Sequence, residues 1–156
     1  IKPNYICIVP ENRKEITTEG GLNLDKNQKK LKNIIQIFKQ AKIRTSLFVN
    51  PTIRDIKLSK DLNTDCVEIH TGRLSNLVKS KKNYYTELNR IKKSSLLAKK
   101  LNIEVHAGHG LDYQTTKILS KINEIQEFNI GHFIIGESIF FGLSKVIRNF
   151  KKIIKK

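Results

Sequence analysis

The feature that most constrains this chain is a rhythm. Short apolar runs rich in β-branched residues alternate with longer amphipathic stretches, five times over. Tyr5-Ile6-Cys7-Ile8-Val9, closed by Pro10, is the first run and reads as a buried strand. From about Lys26 to Ala41, the positions Leu31, Ile34, Ile35, Phe38 and Ala41 recur at three- and four-residue steps, which predicts a helix with one apolar face. Arg44 to Val49 is the second strand, after which Asn50-Pro51 offers an N-cap and a first-turn proline for a short helix ending near Asp61. Cys66 to Gly72 is the third strand, followed by a long helix from about Lys82 to Leu101. Ile103 to Ala107 is the fourth, with a short helix from near Tyr113 to about Ile122. Glu127 to Gly136 holds the fifth strand and its exit, and a last helix entered through Glu137-Ser138 carries Leu143, Val146, Ile147 and Phe150 on its stripe. No linker or low-complexity segment interrupts the series, so residues 1–156 read as a single α/β domain.

β-α units of about 30 to 40 residues predict a parallel sheet with helices outside it, and ligands bind such folds beyond the carboxyl ends of the strands. The polar residues that follow the strands are therefore the candidates for chemistry. Gly108-His109-Gly110 presents an imidazole between two glycines at the end of the fourth strand, a placement suited to proton transfer beside a ligand. Glu68 lies between Val67 and Ile69 in an otherwise apolar strand; an unpaired buried carboxylate costs several kcal/mol, so it must face something polar. His70, two residues on, shares that face and reads as a packing or supporting residue. Thr17 and Thr18, followed by Gly20-Gly21, suit a loop offering hydroxyl and backbone donors, and equally suit a plain capped turn. Gly131-His132, ahead of the last helix, could cradle a phosphate, although glycines are common wherever a strand meets a helix.

The formal charge of +16 raises nucleic acid or an anionic membrane as partners. The lysines are spread over every helical stretch and lack an aromatic interleave for stacking bases, so they read as solvated helix faces whose field attracts phosphorylated small molecules. No run of about 18 apolar residues could span a bilayer, and the expectations are a cytoplasmic protein with neither nucleic acid nor membrane as partner. Cys7 and Cys66 match no metal-binding or redox spacing and read as buried free thiols. The chain holds no Met and starts at Ile1, which gives the expectation that further sequence precedes it.

Four stretches, in this order, carry a resemblance: Val9-Pro10-Glu11 with Glu15-Ile16-Thr17-Thr18-Glu19-Gly20-Gly21; Val67-Glu68-Ile69-His70-Thr71-Gly72; Ala107-Gly108-His109-Gly110-Leu111; and Asn129-Ile130-Gly131-His132 with Ile134-Ile135-Gly136. The chain resembles the pyridoxine 5'-phosphate synthase family. The resemblance implies a (β/α)8 TIM barrel of which these are strands four to eight, the first three β-α units lying outside this chain; a barrel of this kind runs to about 250 residues. It implies condensation of 1-deoxy-D-xylulose 5-phosphate with 3-amino-2-oxopropyl phosphate to close a pyridine ring, with no organic cofactor and no metal, in a homo-octamer. By position, His109 would be the proton donor and Glu68 the group that stabilises positive charge in the transition state, while Thr17, Gly110, Gly131 and His132 would bind substrate. Two positions depart from the family's pattern: His106 stands where Asn is usual, and Glu137 where Arg commonly follows Ile-Ile-Gly. The family's accepting His and Glu would lie on the three absent units, so the chain alone is expected to be inactive, and a non-enzymatic barrel fragment is the alternative reading.

Overall fold

The computed structural model describes residues 2–10 and 20–155. Five strands form one sheet: β1 (Tyr5–Ile8), β2 (Arg44–Val49), β3 (Cys66–His70), β4 (Glu104–Gly108) and β5 (Ile125–Asn129). All pairings are parallel and the spatial order follows the chain order. Among the described residues seven helices connect and follow them: α1 (Leu24–Gln40), α2 (Ile53–Asp61), α3 (Gly72–Lys79), α4 (Tyr85–Lys100), α5 (Tyr113–Leu119), α6 (His132–Phe141) and α7 (Leu143–Ile154). Sequential order with right-handed crossovers keeps every connecting helix on one side of the sheet, which is the winding of a barrel rather than of an open doubly wound sheet.

The two faces differ chemically. Leu47, Val67, Val105 and Ile125 sit side by side in register, as do Val49, Ile69 and Ala107, and both rows belong to the buried core beneath the helices. The intervening positions, among them Cys7, Ser46, Glu68, His70 and His106, form the opposite, inner face. That face is strongly concave. Strands two places apart in a flat sheet are separated by roughly 10 Å, yet Glu68 on β3 receives hydrogen bonds from Cys7 on β1 and from Asn129 on β5. Arg44 on β2 likewise reaches Glu104 on β4, at 2.6 Å. Short side chains meet across that span only where the sheet curls inward. The described strands are thus an arc of a TIM-barrel-like wall, with β1 and β5 as its edges.

One irregularity decides what the inner face contains. Between Val105↔Ile125 and His106↔Glu127 the β4–β5 register slips by one residue, a bulge that places Gln126 out of step. Since side chains alternate strictly along a strand, the slip turns Glu127 and Asn129 inward and Phe128 back toward the helices.

Four of the described helices end in one device. After α1, α2, α3 and α4 a single residue takes a left-handed conformation, namely Lys42, Asn63, Lys81 and Asn102 with φ of 52–60°. The amide of the next residue then bonds back to the last helical turn: Ile43 to Phe38, Thr64 to Ser59, Lys82 to Leu77 and Ile103 to Ala98. These are Schellman closures made without glycine, and Ile43 and Ile103 bury the apolar contact that accompanies them.

The elements differ from the sequence expectation in three places. Asn50-Pro51 does not cap α2; Thr52 does, accepting from the Asp55 amide, while the Asn50 side chain accepts from the Gly21 amide. Gly72 does not end a strand but starts α3, whose Leu74, Ser75 and Val78 are buried. The fifth strand ends at Asn129, and Ile134 to Gly136 lie inside α6; Gly142, at φ 77°, separates α6 from α7.

Candidate functional site

At the carboxyl end of β4 the chain turns through two left-handed residues, His109 (φ 79°) and Gly110 (φ 73°). For histidine that backbone costs of order 1 kcal/mol or more, and the surroundings must enforce it. Thr71, at the end of β3, does so. Its amide donates to the Gly108 carbonyl at 2.9 Å, and its hydroxyl lies 2.7 Å from both the Gly108 and His109 carbonyls. Lys79 adds a bond to the Gly110 carbonyl. The imidazole of His109 then packs on that of His70, centroids 4.8 Å apart, with Phe48 edge-on to His70 at 5.3 Å. Its Cδ2 occupies the place where a side chain on Gly72 would begin, 2.7 Å from an ideal Cβ. Burial, with His109 alongside, pushes the His70 imidazole down to about 4, so His70 is a neutral ring at physiological pH.

Glu68 is 8% exposed, and its carboxylate rests on the backbone of β4: a Cβ at Gly108 would fall 1.9 Å from Oε1. Oε2 accepts from Asn129 Nδ2 at 2.6 Å and from the Cys7 thiol at 3.4 Å. Burial raises the carboxyl above its ordinary range, with the Asn129 and Cys7 donors and the nearby His106 working the other way. The same burial, with Glu68 beside it, lifts the Cys7 thiol to about 12. Glu68 thus lies against Gly108, and the next residue, His109, turns its ring onto His70 at the end of the neighbouring strand.

Two clefts open from this point. One of about 600 Å³ is lined by His109, Gly110, Asn129, Gly131 and His132, together with Glu137. It runs to the start of α6, whose N-cap Gly131 leaves the first-turn amides without a side-chain cap. The other, about 650 Å³, lies between His70, His109 and the Arg73–Lys82 side of α3. Four of the six residues singled out from sequence, Gly110, Gly131, His132 and His109, therefore line one cleft, and Glu68 reaches it through Asn129. Thr17 lies outside the described residues.

The two departures sit at different depths. Glu137 lines the cleft near His132. His106 is buried farther down the inner face, its Nε2 2.9 Å from Glu104 and its Nδ1 3.9 Å from Glu127. Cys66, Glu104 and His106 offer possible ligand atoms within 4.8 Å of one another. Arg44 already neutralises Glu104, donating to it at 2.6 Å and also contacting the Tyr5 hydroxyl. Burial tends to raise Glu104, but the bonds from His106 and Arg44 prevail and hold it below the usual carboxylate range. A metal ion held there would face the guanidinium.

Sequence reasoning missed Cys7 and Asn129 as partners of Glu68. Cys7 is not the wholly buried thiol expected: as a residue it is exposed on the edge strand, although its sulfur is turned in against Glu68, and Cys66 is the buried one. Both cysteines are free. None of the described helices is long and apolar enough to cross a membrane.

The same constellation can be compared with known proteins. The described fold resembles that of the YdjI aldolase from Escherichia coli K12, with a TM-score of 0.55 over 97% of this chain and 57% of that one; at 11% identity the likeness concerns the fold alone. The chain is 64% identical over 155 residues to the pyridoxine 5'-phosphate synthase of Pelagibacter ubique (strain HTCC1062), covering 99% of this chain and 65% of that protein. It is 42% identical to the enzyme of that name from Prochlorococcus marinus (strain MIT 9312), covering 97% of this chain and 63% of the relative, and 45% identical to that of Sulfurihydrogenibium sp. (strain YO3AOP1), covering 97% and 62%. The chain thus spans a little under two thirds of the length of these relatives. A family model described as "Pyridoxal phosphate biosynthesis protein PdxJ" matches residues 1–156 from end to end, and the chain belongs to that family.

Proposed function

We propose that this chain forms the carboxyl-terminal part, strands four to eight, of a pyridoxine 5'-phosphate synthase, which condenses 1-deoxy-D-xylulose 5-phosphate with 3-amino-2-oxopropyl phosphate in vitamin B6 biosynthesis. The observation that carries the reading is the placing of Glu68 against Gly108, next to His109, which lines a cleft that ends at the uncapped start of α6. Ring closure requires imine formation and dehydration, and so repeated proton transfers. His109 would donate those protons from its fixed place at the end of β4. Glu68, held by its neighbours, would stand beside the iminium charge that develops. The amides that open α6 and the His132 side chain would take a phosphate ester, with Gly110 and Gly131 allowing close approach; the resemblance adds Thr17 to the substrate-binding set. The reaction so described calls for no cofactor.

We place the enzyme in the cytoplasm as a homo-oligomer, an octamer by family resemblance. In the proposed whole protein, a closed barrel and subunit contacts would cover the apolar side chains of Ile135, Ile139 and Phe140, exposed on α6. A second reading, a fragment that no longer turns over substrate, draws on the two departures from the family's pattern, His106 and Glu137, the latter a carboxylate in the cleft lining. Product formation from the two phosphorylated substrates separates them when measured on the protein with the remaining barrel strands supplied. There, His109→Ala and Glu68→Gln should each lower turnover by roughly tenfold or more. Near-normal turnover in either variant would remove that residue's role, and absence of any product in the complete protein would leave the fragment reading standing.

A further inference from the structure

We infer that Asn129 is a positioning residue for Glu68: its amide, swung onto the inner face by the β5 bulge, fixes the carboxylate over Gly108 in a single orientation. The inference rests on the reading of Glu68 given above and assigns a task to a residue that reading leaves unused. The Nδ2–Oε2 bond is 2.6 Å long, short for an N–H donor, as bonds to an ionised acceptor are. Cys7 approaches the same oxygen more weakly, from 3.4 Å. With Oε2 engaged from β5 and Oε1 resting where Gly108 lacks a side chain, the carboxylate can neither rotate nor withdraw. The bulge is what makes this available. Counting alternately from Ile125, residue 129 belongs with the helix-facing set, and only the register slip carries Asn129 to the inner side.

The chemistry of the partner matters as much as its place. A primary amide presenting its N–H can only donate, so it favours the ionised carboxylate over the acid, which would itself need an acceptor. The other groups facing Glu68 are few. β1 supplies the Cys7 thiol, β4 supplies His106, β5 supplies Glu127, and β2 places the uncharged Phe48 in register with it. Burial and Glu127 favour protonation; Asn129 is foremost among the groups opposing it. Asn129 also lines the cleft with His109, so a ligand there lies within reach of the same amide that orients Glu68.

The test reads Glu68 directly, by carboxyl titration with 13C-labelled glutamate, using Glu68→Gln to assign the signal. Asn129→Ser, which shortens the side chain, and Asn129→Asp, which keeps its shape but replaces the donor by a like charge, should both move the Glu68 midpoint upward, the aspartate further. In the complete enzyme, turnover near neutral pH should fall roughly tenfold in Asn129→Ser and recover as pH rises, a recovery that a residue serving only strand packing would not give. An unchanged Glu68 midpoint in both variants overturns the inference. A shifted midpoint with unchanged turnover upholds Asn129 as the positioning residue and instead refutes the catalytic reading of Glu68.

Discussion

Gly108→Ala places a methyl group where the Glu68 carboxylate lies, and the cost can be worked from the contacts. The new Cβ would stand 1.9 Å from Oε1 and 2.8 Å from Cδ. Carbon and oxygen do not approach closer than about 3 Å, so the carboxylate must retreat by about 1 Å. A terminal carboxylate on a free side chain would do so cheaply. Here the retreat pulls Oε2 away from Asn129, stretching a 2.6 Å bond beyond useful range. Losing a hydrogen bond to a charged group costs about 1.5–3 kcal/mol, and replacing a strand glycine returns about 0.4–1 kcal/mol through the unfolded chain. The net expectation is a destabilisation of about 1–2 kcal/mol, read as a lower urea midpoint at unchanged slope. The decisive comparison repeats the substitution in a Glu68→Ala background. With the carboxylate gone, the nearest remaining contact is Asn129 Cβ at 3.2 Å, and Gly108→Ala should become neutral or slightly stabilising. If Gly108→Ala costs as much without Glu68 as with it, the glycine serves the backbone and the steric account is wrong.

Two further expectations concern protonation. His70 takes up its proton near 4 in the folded protein and near 6.5 in the unfolded chain, so stability present at neutral pH drains away as pH falls from 6.5 toward 4. Because the ring is only partly shielded from water, the loss should be about 1–2 kcal/mol rather than the full value. Glu68, raised in the folded state, acts in the opposite sense, favouring the folded protein at low pH; the comparison with His70→Gln isolates the histidine, and an equal pH dependence in that variant would refute its burial as the cause. The thiols of Cys7 and Cys66, each raised to about 12 from 9.0, carry roughly a thousandth of the thiolate of an ordinary cysteine, so iodoacetamide should label both slowly at pH 8. Glu68→Gln should speed labelling of Cys7 and leave Cys66 unchanged; rapid labelling of Cys7 in the unaltered protein would contradict the shielding of its sulfur beside Glu68.

What could be read from the sequence is what a single dry face dictates. Leu47, Val67, Val105 and Ile125 had to be apolar because they lie under helices, and that period survives in the string of letters. Glu68 stood out for the same reason, as a charge in an apolar run. Where the period carries no information, the boundaries moved. From Phe133 to Phe141 apolar residues surround α6, none of them buried, so no stripe marks where strand gives way to helix. α3 is only eight residues long, and Gly72 at its start looks like the end of a strand until Leu74 and Val78 are seen to be buried. Asn129 was beyond reach altogether. Its partner lies two strands away, and the bulge that turns it inward leaves no mark in composition or spacing.

The glycines of the two central motifs acquire a different meaning once the neighbours are in place. In Val67-Glu68-Ile69-His70-Thr71-Gly72 and Ala107-Gly108-His109-Gly110, glycine beside a candidate group suggests flexibility, an exposed ring on a pliable turn. The contacts argue the reverse. Gly72 lacks a side chain because His109 and His70 occupy that volume, with Cδ2 of the former at 2.7 Å and Nε2 of the latter at 3.0 Å from an ideal Cβ. Gly108 lacks one because Glu68 does. Each of these two glycines therefore lies beneath a candidate side chain from the adjacent strand or loop, and the exchange is reciprocal: β3 supplies Glu68 to the space over β4, and the end of β4 supplies His109 to the space over the start of α3. Left-handed backbone at His109, clamped by Thr71, completes the exchange by turning the ring onto His70. Rigidity here comes from close packing of side chain against bare backbone, which is why an imidazole can sit between two glycines and still hold one position.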